Sequence, residues 1–116
     1  MPFDWNEYIK LGRELSQEND PACLRAGISR GYYGIYNLLR INVGHTTKYK
    51  PHKDLIEKLA AAEKYDDQAQ LSKILEDLKQ NREEADYDGI LNIDQRYSSK
   101  FWIRLERALK LYTDNL

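Results

Sequence analysis

Residues 26–36 read AGISRGYYGIY. Three glycines, three tyrosines and an arginine stand where an ordinary helix would carry Leu, Ala and Glu. The stretch lies inside a helix predicted from Pro21, opened by Asp20-Pro21, to about Val43, stopped by Gly44. Projected at about 100° per residue, Ile28, Tyr32, Ile35 and Leu39 form an apolar stripe. Gly27, Gly31, Gly34 and Leu38 form an adjacent strip with almost no side-chain bulk, and Arg30, Tyr33, Asn37 and Arg40 lie opposite the apolar stripe. Each glycine in a helix interior costs about 0.8–1 kcal/mol relative to alanine. Three of them at i, i+4 and i+7 call for a very close neighbour: another helix of a bundle, a second subunit or a ligand.

Outward from this helix the pattern stays helical. Asp4 is a good N-cap for a first helix to about Gln17, with Trp5, Tyr8, Ile9, Gly12 and Leu15 facing inward. Residues 44–53, GHTTKYKPHK, form a basic loop holding His45, Lys48, Lys50, His52 and Lys53 and no acid. Pro51 opens a third helix that ends near Tyr65, with Leu55, Ile56, Leu59 and Ala60 inward. Asp66 or Asp67 can cap a fourth helix to about Asp88, stopped at Gly89. A fifth follows Asn92-Ile-Asp94, with Tyr97, Phe101, Leu105, Ala108 and Tyr112 in one stripe and Trp102 and Leu109 beside it. No strand-like alternation or repeat interrupts this. The expected fold is all-α: one domain over residues 1–116, an up-and-down bundle of four long helices and one shorter one.

Composition narrows the function classes. The 116 residues carry 18 Lys and Arg against 19 Asp and Glu, a net charge of -1. Contact with nucleic acid or an anionic membrane must therefore be local rather than driven by total charge. A single cysteine, Cys23, excludes an internal disulfide and fits a reducing compartment. No apolar run approaches the ~18 residues of a membrane span. MPFDWNEY lacks the basic and apolar regions of a signal peptide. A cytoplasmic setting is expected. No cofactor motif and no metal-ligand spacing occur; Glu83, Glu84 and Asp88 read as a solvated acidic face.

The fourth helix holds the anomaly. Its apolar stripe, Leu71, Ile74, Leu75 and Leu78, continues by helical phase to Arg82 and Ala85. A guanidinium thus falls where the pattern calls for an aliphatic group. Asp86, one turn on, can pair with it, while Tyr87 points away from the stripe toward Glu83. An inward charge is expensive unless paired. The pair reads either as an ion pair that sets helix register or as a cation held ready for phosphate. His52, at the start of the third helix, is a further phosphate candidate.

Ser29-Arg30-x-Tyr32-Tyr33-x-x-Tyr36, then His52-x-x-Leu55-Ile56, then Arg82-x-x-Ala85-Asp86-Tyr87, resembles the small stand-alone HEPN proteins of bacteria and archaea. The likeness spans roughly residues 5–112. It implies a helical bundle, a homodimer, and a nucleotidyltransferase partner encoded beside it, in some cases as a toxin–antitoxin pair. Active HEPN toxins are metal-independent ribonucleases with an Arg-x4–6-His motif, two copies of which face each other across the dimer. Arg82 aligns with the motif arginine, but no histidine follows it; Tyr87, Asp88 and Gly89 occupy the expected positions. Arg40 and His45 match the motif only as a string, straddling the helix stop at Gly44.

Three readings follow. The chain is a dimeric nucleotide- or RNA-binding, or nucleotidyltransferase-docking, module around Arg30, Tyr33, His52, Arg82 and Asp86. Alternatively, it is a metal-independent endoribonuclease using Arg82 with Asp86, Tyr87 or His52. Or the Arg82–Asp86 pair is purely structural, and breaking it costs the roughly 3–5 kcal/mol of a buried ion pair.

Overall fold

A computed structural model describes residues 2–44, 51–61 and 68–114. Five helices follow one another: α1 (Asn6–Ser16), α2 (Pro21–Asn42), α3 (Pro51–Ala61), α4 (Gln68–Tyr87) and α5 (Gln95–Asp114). No strand occurs among the described residues. α2 has 22 residues and α4 and α5 have 20 each, whereas α1 and α3 have 11 each. The expected division into four long helices and one shorter is therefore not what the described lengths give. The basic-loop residues His45, Lys48 and Lys50, and the expected boundary residues Tyr65, Asp66 and Asp67, lie outside the described residues.

The helix ends show local chemistry at work. Asp4 accepts the Asn6 N–H at 3.0 Å, although α1 itself begins after Trp5. Asp20 is extended and Pro21 occupies the first turn; the Asp20 carbonyl, not its carboxylate, accepts the Leu24 N–H. Gly44, at φ 69°, ends α2 in the left-handed region where a side chain would be strained. Asp94 caps α5 by accepting the Tyr97 N–H at 2.9 Å.

Pairings between helices give their directions. α1 runs against α2, because Gly34 meets Trp5 and Ile9 while Gly27 meets Gly12 and Ser16. α4 runs against α2, with Arg25 reaching Glu84 and Ala85 while Tyr32 and Tyr33 lie beside Arg82. α5 runs against α4. These four helices alternate. α3 does not follow the alternation: Ile56 bonds Ser72, and His52 shares the Tyr32 and Tyr33 rings with Arg82. Thus α3 also runs against α4, in the same sense as α2, and sits in the connection between α2 and α4.

The α2 stripe of Ile28, Tyr32, Ile35 and Leu39 is fully buried among Leu55, Leu59, Leu71, Leu75, Leu78, Phe101 and Leu105. Ala60, expected inward, is exposed. α3 packs mainly on α4, so only the narrow Leu55–Leu59 stripe is covered.

The glycine strip resolves into packing within the chain. A Cβ on Gly12 would lie 2.7 Å from the Gly27 carbonyl and 3.0 Å from the Gly31 nitrogen, and one on Gly31 would meet Trp102 at 2.8 Å. Trp102 Nε1 donates to Ser16 Oγ at 2.7 Å, and Ser16 Oγ donates to the Gly12 carbonyl at 2.8 Å. Gly12→Ala is therefore expected to lower stability by about 1–3 kcal/mol through overpacking, although alanine is intrinsically the better helix former by about 0.8–1 kcal/mol. Gly89→Ala, which meets nothing within 4 Å, should leave the urea midpoint nearly unchanged. Equal midpoints for both variants would show that the close approach of α1 to α2 carries no energetic weight.

Candidate functional site

Arg82 occupies the inward position that helical phase assigns to it. It follows Leu71, Ile74, Leu75 and Leu78 into the core and is only 6% exposed. Its Nε is buried with no hydrogen-bond partner. Among the described residues its terminal nitrogens meet carboxylates only at ion-pair range: Asp86 Oδ2 at 3.6 Å and Glu83 Oε1 at 4.0 Å. Glu83 is itself claimed by Lys79 at 2.8 Å, and Asp86 accepts from Ser29 Oγ at 3.3 Å.

Aromatic rings take the place of hydrogen-bond acceptors. The guanidinium carbon lies 5.4 Å from the centroid of Tyr33, 5.6 Å from Tyr32 and 5.9 Å from Tyr87. A desolvated guanidinium over such a face gains up to about 2 kcal/mol. Tyr32 and Tyr33 project from α2 because the glycine side of that helix is pressed on α1 and α5. Tyr87 is 78% exposed, so the cluster opens to solvent beside it.

His52 joins the cluster from α3. Its Nδ1 lies 2.7 Å from the Tyr32 hydroxyl, with the donor set by the imidazole tautomer, and its ring stacks on Tyr36 at 4.2 Å. Burial lowers its pKa to about 4, and the positive charges of Arg82 and Lys79 act in the same direction. The imidazole is neutral at pH 7. Burial pushes the Tyr32 and Tyr36 hydroxyls up, so both stay protonated there.

Tyr33, His52, Arg82, Asp86 and Tyr87 are thus brought together. Arg30 is not: it is exposed, and its guanidinium lies over Tyr8 of α1 at 5.2 Å. Although one turn from Tyr33, it leans to the α1 side of the helix.

Three further side chains near the cluster make bonds that the sequence did not indicate. Arg25 donates to the carbonyls of Glu84, Ala85 and Leu91 at 3.3, 3.0 and 2.6 Å, gathering the C-terminal end of α4. Glu84, expected on a solvated acidic face, accepts the Tyr97 hydroxyl at 2.6 Å. Tyr97 is pushed up to about 12 by burial and by that bond. Asp88 accepts the N–H groups of Ile90 and Leu91 and closes the turn after α4. No group of three or more potential metal ligands lies close enough together among the described residues to hold an ion. Nor is any helix there long and apolar enough to cross a membrane.

The lowered His52 pKa makes stability pH-dependent. An unfolded imidazole titrates near 6.5 and the folded one near 4, so between these values the unfolded chain binds more protons. The contribution of neutral His52 is complete above about pH 6.5 and declines as pH falls toward about 4. Thermal melts across this window should show a steeper loss for the wild type than for His52→Asn; parallel profiles would contradict the assignment. Compared with protein-family models, curated proteins and solved structures, the chain matches none.

Proposed function

We propose that the chain is a phosphate-recognising module for RNA or nucleotide, built on a HEPN-type helical bundle. In the manner the HEPN resemblance implies, it works as a homodimer and docks a nucleotidyltransferase as one half of a toxin–antitoxin-like pair. The observation that carries the reading is Arg82: a buried guanidinium with an orphaned Nε, no full hydrogen bond among the described residues, and a carboxylate held only at 3.6 Å. An unmade charge-assisted bond in such a place is costly. A phosphate oxygen would supply what the protein withholds. Asp86 stands in for the anion, and when it gives way it retains Ser29 and water. Tyr87, exposed beside the guanidinium, offers a ring for an unstacked base, an interaction worth about 1–3 kcal/mol.

Arg82→Met keeps the apolar stem and removes the charge. Since the Asp86 side chain is 26% exposed, it can rehydrate, and the stability loss falls below the roughly 3–5 kcal/mol of a fully buried pair. Affinity for short single-stranded RNA, read by fluorescence anisotropy, should drop about tenfold or more, equivalent to about 1.4 kcal/mol. The circular dichroism spectrum should be unchanged. Undiminished affinity in a folded variant would overturn the reading.

One observation favours a second reading, a metal-independent endoribonuclease. His52 brings an imidazole to the tyrosines that hold Arg82, although no histidine follows Arg82 in the chain. Its neutral form can accept a proton. Under this reading the wild type cleaves RNA in EDTA, and both Arg82→Met and His52→Asn abolish cleavage. A chain that binds RNA without cleaving it is a binding module only.

A further inference from the structure

We propose a second ligand site, in the cleft between α4 and α5, for a small phosphomonoester whose body carries hydroxyl or amino donors. The cleft measures about 350 Å³, within the roughly 300–1,000 Å³ of small-molecule sites. α4 lines it with Asp77, Asn81 and Glu84, at i, i+4 and i+7, with Gln80 beside them, and α5 with Tyr97, Lys100 and Arg104, at i, i+3 and i+7. Each triplet falls on one face of its helix.

The floor is already organised. Asn81 is buried; it accepts from Arg104 Nη1 at 3.0 Å and donates to the Tyr97 hydroxyl at 3.1 Å. Tyr97 in turn donates its hydroxyl proton in a 2.6 Å hydrogen bond to Glu84. This chain holds four of the seven lining side chains in place before anything binds. Arg104 commits one N–H to it, leaving its other donors for the cleft.

The charges give the ligand its chemistry. Among the described residues neither Lys100 nor Arg104 has a carboxylate within ion-pair range. Asp77 turns to Lys73 on its own helix at 3.3 Å, and Glu84 is taken by Tyr97. Two cations one turn apart on α5 therefore face two acids on α4 without pairing. A dianionic phosphate matches two cations, whereas a carboxylate is satisfied by one bidentate arginine. The acidic wall repels an extended polyanion and accepts from donors. Both requirements are met by a compact molecule anionic at one end and rich in donors at the other. Asn81 and Arg82 are consecutive, so helical twist turns this cleft away from the tyrosine cluster, and the proposal does not depend on RNA binding there.

The test is an NMR titration of the full chain with ribose 5-phosphate and with AMP, read on the Asn81 side-chain amide. Both probes should give saturable shifts, with inorganic phosphate binding more weakly because it lacks the donor-bearing body. Lys100→Gln and Arg104→Gln should each weaken binding about tenfold. Lys100 is exposed, so its variant keeps the fold even if loss of the Arg104–Asn81 bond disturbs it. Arg82→Met should leave this titration unaltered. The proposal is overturned if Asn81 does not respond, if the response disappears in Arg82→Met, if Lys100→Gln retains full affinity, or if inorganic phosphate binds equally well.

Discussion

The backbones of α1 and α2 meet with no side chain between them, and the rest of the molecule is arranged around that contact. Gly12 faces the Gly27 carbonyl and the Gly31 nitrogen so closely that a single methyl group has no room. Trp102 then closes over Gly31 and is tied to α1 through Ser16. Together these contacts fix how α2 is rotated about its own axis. Once its glycine side is committed to α1 and α5, Ile28, Ile35 and Leu39 must enter the core and Tyr32 and Tyr33 must face α4. The aromatic ledge on which Arg82 rests is a consequence of where the glycines are.

That ledge explains how a charge persists inside a small bundle. A buried cation without partners is normally intolerable. Here three tyrosine rings supply the attraction, and a carboxylate at 3.6 Å supplies part of the countercharge. Rings attract a cation without satisfying individual N–H groups, so the charge is accommodated while its donors remain underused. An Arg–carboxylate fork would have satisfied both and left nothing for a ligand.

Helical phase made the inward position of Arg82 and its pairing with Asp86 legible, because an aliphatic stripe over four positions leaves little freedom for the fifth. The glycine strip was legible as a close approach, but which neighbour made it, a helix of the bundle, a second subunit or a ligand, was fixed only by Gly12 as the facing surface. Contacts between distant segments left no such trace. His52 reaches Tyr32 across 20 positions, and no periodicity links α2 to α3. Arg25 binds backbone carbonyls, and a carbonyl has no residue identity to read. Arg30 looked like a partner of Tyr33, yet Tyr8 on the neighbouring helix claims it. The direction of α3 depends on how its neighbours pack, which a stripe of two leucines does not specify.

The C-terminal half of α4 is the polar half, and the way it is anchored makes that workable. Elsewhere the helix is held by leucines. From residue 81 onward, Asn81 and Arg82 enter the interior on different sides, and only Ala85 remains apolar and buried. This end is secured instead through its backbone: Arg25 binds the carbonyls of Glu84, Ala85 and Leu91, and Asp88 binds the amides of the following turn. Anchors of that kind do not use the side chains of Arg82, Asp86 or Tyr87. Those side chains can exchange partners, as a carboxylate yielding to a phosphate requires, while the helix that carries them stays in place. Separation of the anchoring groups from the exchanging groups is what allows a marginally sized bundle to keep an underused guanidinium without losing its fold.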